Sequence, residues 1–316
     1  MREIVVCGEA LVDVVQQRHD ARGSAPDGLA PLQPALGGGP FNVAITLGRL
    51  GSAVSLLSAV STDTYGDAIV DALRSAGVGT TWVQRRAQPT SLAVATIADD
   101  GSARYSFYVE GTADRAVADP GDLPPTVSAM TFGTLSLVLE PGASVYENLM
   151  RRARAEGRVV VLDPNIRPAV IDDPDDYRRR FRGWMTDVDL VKLSDEDASW
   201  LADGPAGSTA EDWLADGVAA VVTTAGSSGI TVRTTADEVS IPAPAVDVVD
   251  TIGAGDSVLG GLVHHLDRHG WLTPAALRSL DVDGWRKTAQ FAAQVAAVTV
   301  SRPGADPPWA GELRSD

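Results

Sequence analysis

Several features that mark particular protein classes are scarce in this sequence of 316 residues. The only cysteine, Cys7, cannot form a disulfide within the chain, and its apolar surroundings indicate a small core residue rather than a nucleophile. Lysine occurs twice, and the formal net charge of -16 argues against nucleic acid or an anionic membrane as a partner. No apolar run approaches the ~20 residues that span a bilayer, and Met1-Arg2-Glu3 lacks the apolar region of a signal peptide. We therefore expect a cytoplasmic protein.

The motifs of several enzyme classes are missing as well. Neither Lys192 nor Lys287 follows a glycine, which excludes the P-loop pattern GxxxxGK[ST], and Gly253-Ala254-Gly255 lacks the third glycine of the dinucleotide motif GxGxxG. There is no HRD or DFG of a protein kinase and no GxSxG of an α/β-hydrolase. The four histidines show no metal-ligand spacing to carboxylates or cysteine.

Strand-like and helical segments alternate along most of the chain. The predicted strands are 3–8, 53–60, 130–139, 158–163, 189–193, 218–224 and 245–249. The predicted helices are 40–51, 65–76, 145–156, 175–186, 194–202, 257–269 and 284–298, and Ser208-Thr209-Ala210-Glu211 predicts a capping box. Strands that alternate with ~12-residue helices predict βαβ units, so we expect one α/β domain over residues 1–316 with a mostly parallel sheet.

A hairpin interrupts this rhythm. Strands are predicted at 91–98 and 103–109, joined by Asp99-Asp100-Gly101, in which the Asp-Gly pair indicates a turn. Residues 20–40 are rich in Gly, Pro and Ala and predict a loop, alone or with a short edge strand. We expect segments 14–35 and 91–112 to form a lid or a dimer surface, in which Phe107 covers a substrate. The alternative is that these large side chains cover the main domain or a partner subunit.

The stretch Asp250 to Asp256 (DTIGAGD) precedes a predicted helix. Amide hydrogens at a helix N-terminus lack intrahelical acceptors, so those of residues 253–255 predict an anion site. A carboxylate beside a bound phosphate is better suited to be a base than a ligand, which makes Asp256 a candidate proton acceptor. The alternative is a glycine-rich turn with an aspartate near the helix cap.

Other polar groups follow predicted strands, where parallel sheets place their ligand contacts. They lie in the stretches 163–167, 194–197 and 224–229, and they provide an arginine, carboxylates suited to magnesium and donors suited to phosphate. Asp13 follows the first strand and is a candidate hydroxyl binder. Gly37 to Asn42 begins a helix, and its glycines allow a ligand to approach the backbone closely.

Two of these stretches resemble the signature motifs of the ribokinase-like (PfkB) carbohydrate kinases. Gly37 to Ala44 with Leu50-Gly51 resembles the N-terminal signature, and Asp250 to Asp256 resembles the more specific C-terminal signature. The similarity covers nearly the whole chain. It implies a Rossmann-like α/β fold, with a mostly parallel sheet flanked by helices and a small β lid. It also implies ATP and a sugar as ligands, Mg²⁺, and K⁺ as a monovalent cation.

The resemblance implies individual roles. Asp256 matches the catalytic base, and Gly253, Ala254 and Gly255 match its anion hole. The implied sugar-site residues are Asp13, Gly38, Asn42, Phe107 and Arg167. The implied nucleotide-site residues are Lys192, Ser194, Thr224, Gly226, Gly229, Gly304 and Ala305. Asp250 matches a ligand of the monovalent cation. Because Ser194-Asp195-Glu196-Asp197 replaces the family's Asn-x-x-Glu, the water-mediated magnesium role falls to Asp197 or Glu196.

Within the family, the stretches 8–13, 106–114 and 163–168 are most similar to bacterial fructokinases. We therefore expect ATP-dependent phosphorylation of a primary hydroxyl, fructose to fructose 6-phosphate. A 2-keto-3-deoxygluconate kinase is the alternative, because the Asn165-x-Arg167 element also resembles those enzymes, in which arginine meets a substrate carboxylate. A non-catalytic sugar-binding regulator is a further alternative, although a binding module has no need of a base at Asp256.

Overall fold

A computed structural model describes residues 2–16, 31–97 and 103–313. The predicted turn Asp99-Asp100-Gly101 and most of the predicted lid segment 14–35 lie outside these residues. In the described part of the chain, no helix is both long and apolar enough to cross a membrane.

The larger of two sheets holds nine of the strands in the described residues. In chain order they are β1 (Glu3–Cys7), β4 (Val54–Ser61), β5 (Val83–Arg86), β8 (Val127–Gly133), β9 (Val159–Asp163), β10 (Leu190–Ser194), β11 (Ala220–Thr224), β12 (Ile230–Arg233) and β13 (Glu238–Ile241). Their spatial order is β13-β12-β11-β10-β9-β8-β1-β4-β5, and every neighbouring pair from β11 to β5 is parallel.

The chain reverses its direction of travel across this sheet beside β1. It passes from β1 to β4 and β5 on one side, and then returns to β8 and continues outward through β11 on the other. The carboxyl ends of β1 and β8 therefore flank a topological switch point, which is where open α/β sheets bind ligands. The prediction of a mostly parallel sheet is confirmed.

Nine α-helices occur in the described residues, and they cover both faces of the sheet. They are α1 (Gly39–Arg49), α2 (Thr64–Ser75), α3 (Gly142–Ala155), α4 (Pro174–Trp184), α5 (Asp195–Ala202), α6 (Ala210–Ala215), α7 (Ala254–Arg268), α8 (Pro274–Ser279) and α9 (Val282–Val300). Alternate strand residues face opposite layers, so Ile4 and Val6 pack with α1, α2, α7, α8 and α9, whereas Val5 and Cys7 pack with α3 to α6.

A small sheet stands apart at the carboxyl edge of the large one. Its strands are β2 (Leu11–Gln16), β3 (Leu32–Gly37), β6 (Leu92–Ile97) and β7 (Ala103–Tyr108), in the order β3-β2-β6-β7. β2 pairs antiparallel with β3 and parallel with β6, and β6 pairs antiparallel with β7. The predicted hairpin strands and the short edge strand are therefore present, but β2 extends back to Leu11, which the predicted boundary at 14 did not include.

Three local predictions were wrong. The strand predicted at 130–139 ends at Gly133, because Thr134 has a left-handed backbone with φ of 60° and begins a 3-10 turn. Residues 245–249 form no strand, and the side chains of Val248 and Val249 are 62% and 60% exposed. The predicted capping box is displaced by one residue, since Thr209 caps α6 with Asp212 as its partner.

Candidate active site

A cleft of about 610 Å³ lies between the small sheet and the carboxyl edge of the large sheet. Residues that follow β1, β8, β9, β10 and β11 form its floor, the first turn of α7 forms one side, and side chains of β2, β6 and β7 face it from the small sheet. The fold thus brings most of the predicted strand ends to one place. The Asp250–Asp256 stretch arrives from a coil and not from a strand, which corrects that prediction.

The N-terminus of α7 carries the predicted anion site. Gly253 has a left-handed backbone with φ of 73°, and a Cβ at this position would come within 2.6 Å of the Cβ of Ala305. The amide hydrogens of Gly253 and Gly255 have no acceptor in the described residues, whereas that of Ala254 donates to the carbonyl oxygen of Thr251 at 3.2 Å. Two of the three predicted amides are therefore available to an anion.

Asp256 lies in the first turn of α7 and is 8% exposed. Its Oδ2 accepts a hydrogen bond of 2.8 Å from Nδ2 of Asn42, which α1 presents from across the cleft. Burial raises the pKa of Asp256 to about 6, although the Asn42 hydrogen bond and the charge of Lys192 lower it. A carboxylate with this pKa is ionised at neutral pH and has a higher proton affinity than an exposed one.

The five predicted sugar-site residues all line the cleft. Asp13 is half-buried on β2, and burial raises its pKa to about 6 while the charge of Arg167 lowers it. A Cβ at Gly37 would come within 1.9 Å of Asp13 Oδ2, so a larger residue on this strand would displace that carboxylate. Phe107 packs on Leu11 and Leu135 at the inner side of the small sheet.

The predicted nucleotide-site residues fall into two groups. Lys192, Ser194, Thr224 and Gly226 line the cleft, whereas Gly229, Gly304 and Ala305 do not. A Cβ at Gly229 would come within 2.0 Å of the carbonyl oxygen of Ile241, so this glycine permits the close pairing of β12 and β13. Ala305 lies against Gly253, and the amide of Gly304 donates to Oδ2 of Asp250 at 2.8 Å.

The two candidates for the magnesium role differ in how they are engaged. Asp197 is buried, and its two oxygens accept hydrogen bonds from the amides of Ile166 at 2.8 Å and Ser194 at 3.2 Å. Glu196, one residue earlier, is exposed and lines the cleft. Asp250, the candidate cation ligand, accepts hydrogen bonds from the amides of Ile252 at 3.0 Å and Gly304 at 2.8 Å. No group of three or more metal-ligating side chains occurs in the described residues.

The polar residues that line the cleft also include Glu9 and Thr134, which were not singled out from the sequence, and Asn165, which was named only as part of the Asn165-x-Arg167 element. Glu9 follows β1 and is 3% exposed, and its oxygens accept hydrogen bonds from the hydroxyls of Thr134 and Ser136. Burial raises the pKa of Glu9 to about 7. Its position after the first strand was a usable signal. Thr134 and Asn165 have positive φ angles of 60° and 39°, which side-chain patterns do not predict.

This chain resembles a group of known proteins in both sequence and structure. Residues 1–310 match the family described as pfkB family carbohydrate kinase. A fructokinase of Rhizobium leguminosarum bv. trifolii is 36% identical over 286 residues, which are 90% of this chain and 85% of that protein. The crystal structure of a fructokinase with bound ATP from Xylella fastidiosa superposes with a TM-score of 0.86 at 28% identity, over 96% of this chain and 93% of that one.

The same fold also occurs in a kinase that is named for another substrate. An aminoimidazole riboside kinase of Salmonella enterica superposes with a TM-score of 0.79 at 24% identity, over 96% of this chain and 95% of that one. At this identity the likeness shows the fold alone, so the choice of substrate has to be argued from the cleft.

Proposed function

This chain belongs to the pfkB family of carbohydrate kinases, and on that premise we propose that it transfers the γ-phosphoryl group of ATP to a primary hydroxyl of D-fructose. The observation that carries the proposal is the position of the Asp256 carboxylate at the start of α7, beside two backbone amides without an acceptor. These amides belong to Gly253 and Gly255. A base and an anion site side by side are what phosphoryl transfer to a hydroxyl requires. The fructokinase relative at 36% identity supports fructose as the acceptor.

In the proposed reaction, the sugar hydroxyl gives its proton to Asp256 as its oxygen bonds to the γ-phosphorus. The bond from that phosphorus to the β–γ bridging oxygen breaks, and ADP leaves with the electron pair. The amides of Gly253 and Gly255 stabilise the negative charge on the transferring group, and loss of one such donor typically lowers the rate ~100-fold or more. Asn42 holds the Asp256 carboxylate in place through its 2.8 Å hydrogen bond.

We assign the sugar to the part of the cleft beneath the small sheet. Asp13 accepts hydrogen bonds from sugar hydroxyls, Gly38 admits the sugar close to the backbone, and Phe107 covers it. The small sheet then acts as a lid that excludes water, which would otherwise hydrolyse ATP. Its exposed side chains Leu32 and Tyr108 support a homodimer through the lid, which sedimentation of the purified protein tests.

We assign the nucleotide to the part of the cleft lined by Lys192, Ser194, Thr224 and Gly226, with Gly229, Gly304 and Ala305 shaping the loops around it. The Xylella fastidiosa fructokinase with bound ATP supports this nucleotide. Between the two magnesium candidates, we favour Glu196, because its carboxylate is exposed in the cleft whereas that of Asp197 is buried. When bound, Mg²⁺ neutralises phosphate charge.

The free, buried thiol of Cys7 supports a location in the reducing environment of the cytoplasm.

In the proposal, Asp250 stabilises the loop before α7 through the hydrogen bonds that its carboxylate accepts. The hydrogen bond from the Gly304 amide joins the start of the 250–256 stretch to the loop after α9, and the one from the Ile252 amide lies within the stretch itself. We keep it as the candidate ligand of a monovalent cation, since a carboxylate oxygen with one amide donor retains a lone pair. Comparison of activity in potassium and choline buffers of equal ionic strength tests that assignment.

ADP release with magnesium and ATP tests the proposed function across fructose, 2-keto-3-deoxygluconate, ribose and adenosine. We expect activity on fructose, and we expect Asp256→Asn to lower it ~100- to 10,000-fold, which is the usual contribution of a positioned base. Near-normal turnover in this variant would show that the base assignment is wrong. Ligand binding without ADP release would instead favour a non-catalytic regulator.

A 2-keto-3-deoxygluconate kinase is the second candidate, and the position of Arg167 favours it. This arginine is exposed in the cleft, and its guanidinium donates only to the carbonyl oxygens of Asn165 and Ile166 among the described residues. It is therefore placed to meet a substrate carboxylate. Activity on the sugar acid without activity on fructose, together with a large loss in Arg167→Ala, would establish this alternative.

A further inference from the structure

A second buried carboxylate lies behind the proposed base. Asp163, the last residue of β9, forms an ion pair with Lys192 of β10 at 2.8 Å between Oδ2 and Nζ, and both side chains are 5% exposed. The register that pairs Val191 with Leu162 brings the following residues, Lys192 and Asp163, side by side. Oδ1 of Asp163 is buried and has no hydrogen-bond partner in the described residues. A buried ion pair with an unsatisfied oxygen is a poor stabilising element, so it calls for another explanation.

The ammonium of Lys192 lies at the anion site. A Cβ at Gly255 would come within 2.8 Å of Nζ, so the ammonium lies directly against the backbone of that residue. The amide of Gly255 is one of the two available donors at the start of α7. A fixed positive charge beside an amide donor strengthens the stabilisation of a phosphoryl group in a site that excludes water.

The same ion pair adjoins the base. Asp163 and Asp256 both line a small chamber of about 10 Å³, together with Gly39, Gly133 and Thr134. That volume is near the smallest that holds one water molecule. The charge of Lys192 lowers the pKa of both carboxyl groups, but its ammonium donates to Asp163, whereas Asp256 accepts from Asn42.

We propose that Asp163 is a positioning residue, which holds the Lys192 ammonium at the anion site and prevents it from forming an ion pair with the base Asp256. This inference rests on the proposed phosphoryl transfer. An ammonium without Asp163 would turn to Asp256, the other carboxylate on which its charge acts, and form an ion pair with it. Lys192 thus pairs with Asp163, and Asp256 stays available to accept the substrate's proton.

The charges around Asp256 set the expected pH dependence. Asn42 of α1, Lys192 of β10 and Arg167 after β9 lower its pKa, and Asp163 of β9 raises it; Asp197 of α5 acts on Asp163. Removal of the Asp163 charge therefore lowers the pKa of Asp256, and a lysine released toward Asp256 lowers it further. Asp163→Asn should thus move the acidic limb of the kcat/KM profile to lower pH, by about one unit or more, while it reduces kcat about 100-fold.

Asp189 provides a matched control on the same two strands. It precedes β10 at the opposite edge of the sheet, is fully buried, and pairs with Arg154 at 2.6 Å and Arg278 at 3.4 Å. Asp189→Asn removes a buried, ion-paired carboxylate as Asp163→Asn does, so both variants should lose stability. Only Asp163→Asn should change kcat and move the acidic limb.

Two further measurements separate positioning from simple damage. If Asp163 acts through Lys192, the double variant Asp163→Asn/Lys192→Met should be no less active than Lys192→Met alone. Calorimetry with magnesium and β,γ-methylene-ATP should show weaker binding in Asp163→Asn than in Asp189→Asn. An unmoved acidic limb, or additive losses in the double variant, would overturn the inference. A wild-type protein that neither binds this nucleotide nor releases ADP would count against the proposed function instead.

Discussion

At the scale of single residues, burial of the Asp256 carboxylate in the site lowers the stability of the folded protein at neutral pH. Its pKa of about 6 in the folded protein exceeds the value near 3.9 of an unfolded aspartate. Because the folded state then binds more protons, stability falls as the pH rises from about 4 to 6 and stays reduced above 6. A shift of this size corresponds to about 3 kcal/mol at pH 7. The buried Asp256 carboxylate, the proposed base, thus lowers stability locally, and the rest of the fold offsets this loss.

We therefore expect Asp256→Asn to be more stable than the wild type by about 1–3 kcal/mol at pH 7, and by much less at pH 4. The introduced amide oxygen still accepts from Asn42, so no hydrogen bond is lost. Guanidinium unfolding at both pH values measures the difference. As a control, Asp197→Asn should be less stable at both, since it puts an NH₂ group where a backbone amide now donates. Equal stability of Asp256→Asn and the wild type at pH 7 would contradict the burial argument.

Asn42 provides the opposite pH test. Its hydrogen bond favours the ionised form of Asp256 and so lowers the pKa of that carboxyl. Asn42→Ala should raise the pKa, so the acidic limb of kcat/KM should move to higher pH, the reverse of the shift expected for Asp163→Asn. A pH series with fructose and ATP measures both limbs in the same buffers. Shifts in the same direction for the two variants would show that these neighbours do not act through the charge of the base.

At the scale of elements, the N-terminus of α7 has to stay free of side chains. A methyl group at Gly255 would come within 2.8 Å of Lys192 Nζ and displace the ammonium from the anion site. Gly255→Ala should therefore lower kcat about 100-fold, even though alanine favours helices over glycine by about 1 kcal/mol. Steady-state assays at saturating fructose measure this loss.

Gly183 is the matched control for that substitution. It lies in α4, is exposed, and has no atom within 4 Å of where its Cβ would be. Gly183→Ala should leave kcat unchanged and raise the free energy of unfolding by about 0.5–1 kcal/mol. Full activity of Gly255→Ala beside a stabilised Gly183→Ala would remove the case for a crowded anion site.

The elements also show which features the sequence could predict. Helices α1, α2, α4 and α9 were predicted to within two residues, because apolar periodicity and terminal residues agree there. The prediction of a strand at 245–249 was wrong because the valines of this segment are exposed. Apolar composition alone does not show whether a residue is buried. The end of β8 at Gly133 depends on the left-handed Thr134, which depends on tertiary contacts that no local pattern contains.

The candidate site divides in the same way. Asp256, Asn42 and Arg167 were predictable, because they belong to motifs or follow strands whose carboxyl ends share one edge. The pairing of Asp163 with Lys192 was not, since it needs the neighbouring order and register of β9 and β10. Glu9 could have been predicted, because it is a polar residue that follows the first strand. Its hydroxyl partners could not, because Thr134 and Ser136 lie more than a hundred residues away in the sequence.

At the scale of the whole molecule, the two edges of the large sheet have different tasks. The carboxyl edge holds the acidic and glycine-rich groups of the cleft. The amino edge holds structural contacts of charged side chains: Asp189, which is buried, pairs with Arg154, and Arg158 donates hydrogen bonds to the carbonyl oxygens of Leu123 and Pro124. Substitutions at the amino edge should therefore change stability with little effect on kinetics. This separation allows Asp189→Asn to control for Asp163→Asn.

The small sheet cannot be an independent folding unit, although it looks separate. Its buried apolar cluster contains Leu11 and Ala93 in the described residues, and the third member, Leu135, comes from the turn after β8. Such a cluster supplies too little burial to offset the ordering of four strands. We therefore expect the described fold to unfold in one calorimetric transition, as a single domain. An early separate transition, removed by fructose, would show instead that the small sheet melts alone.

The same calorimetry tests whether the small sheet closes on the sugar. Fructose at about 100 times its dissociation constant should add about 2.7 kcal/mol to the free energy of unfolding, and raise Tm by roughly 5 °C. Phe107→Ala should weaken that stabilisation, because the ring packs on Leu11 and Leu135 over the cleft. Ser106→Ala, on the exposed side of the same strand, should leave it unchanged. Equal Tm increases in the two variants would mean that Phe107 makes no contact with the sugar, and that the small sheet does not close on it through this side chain.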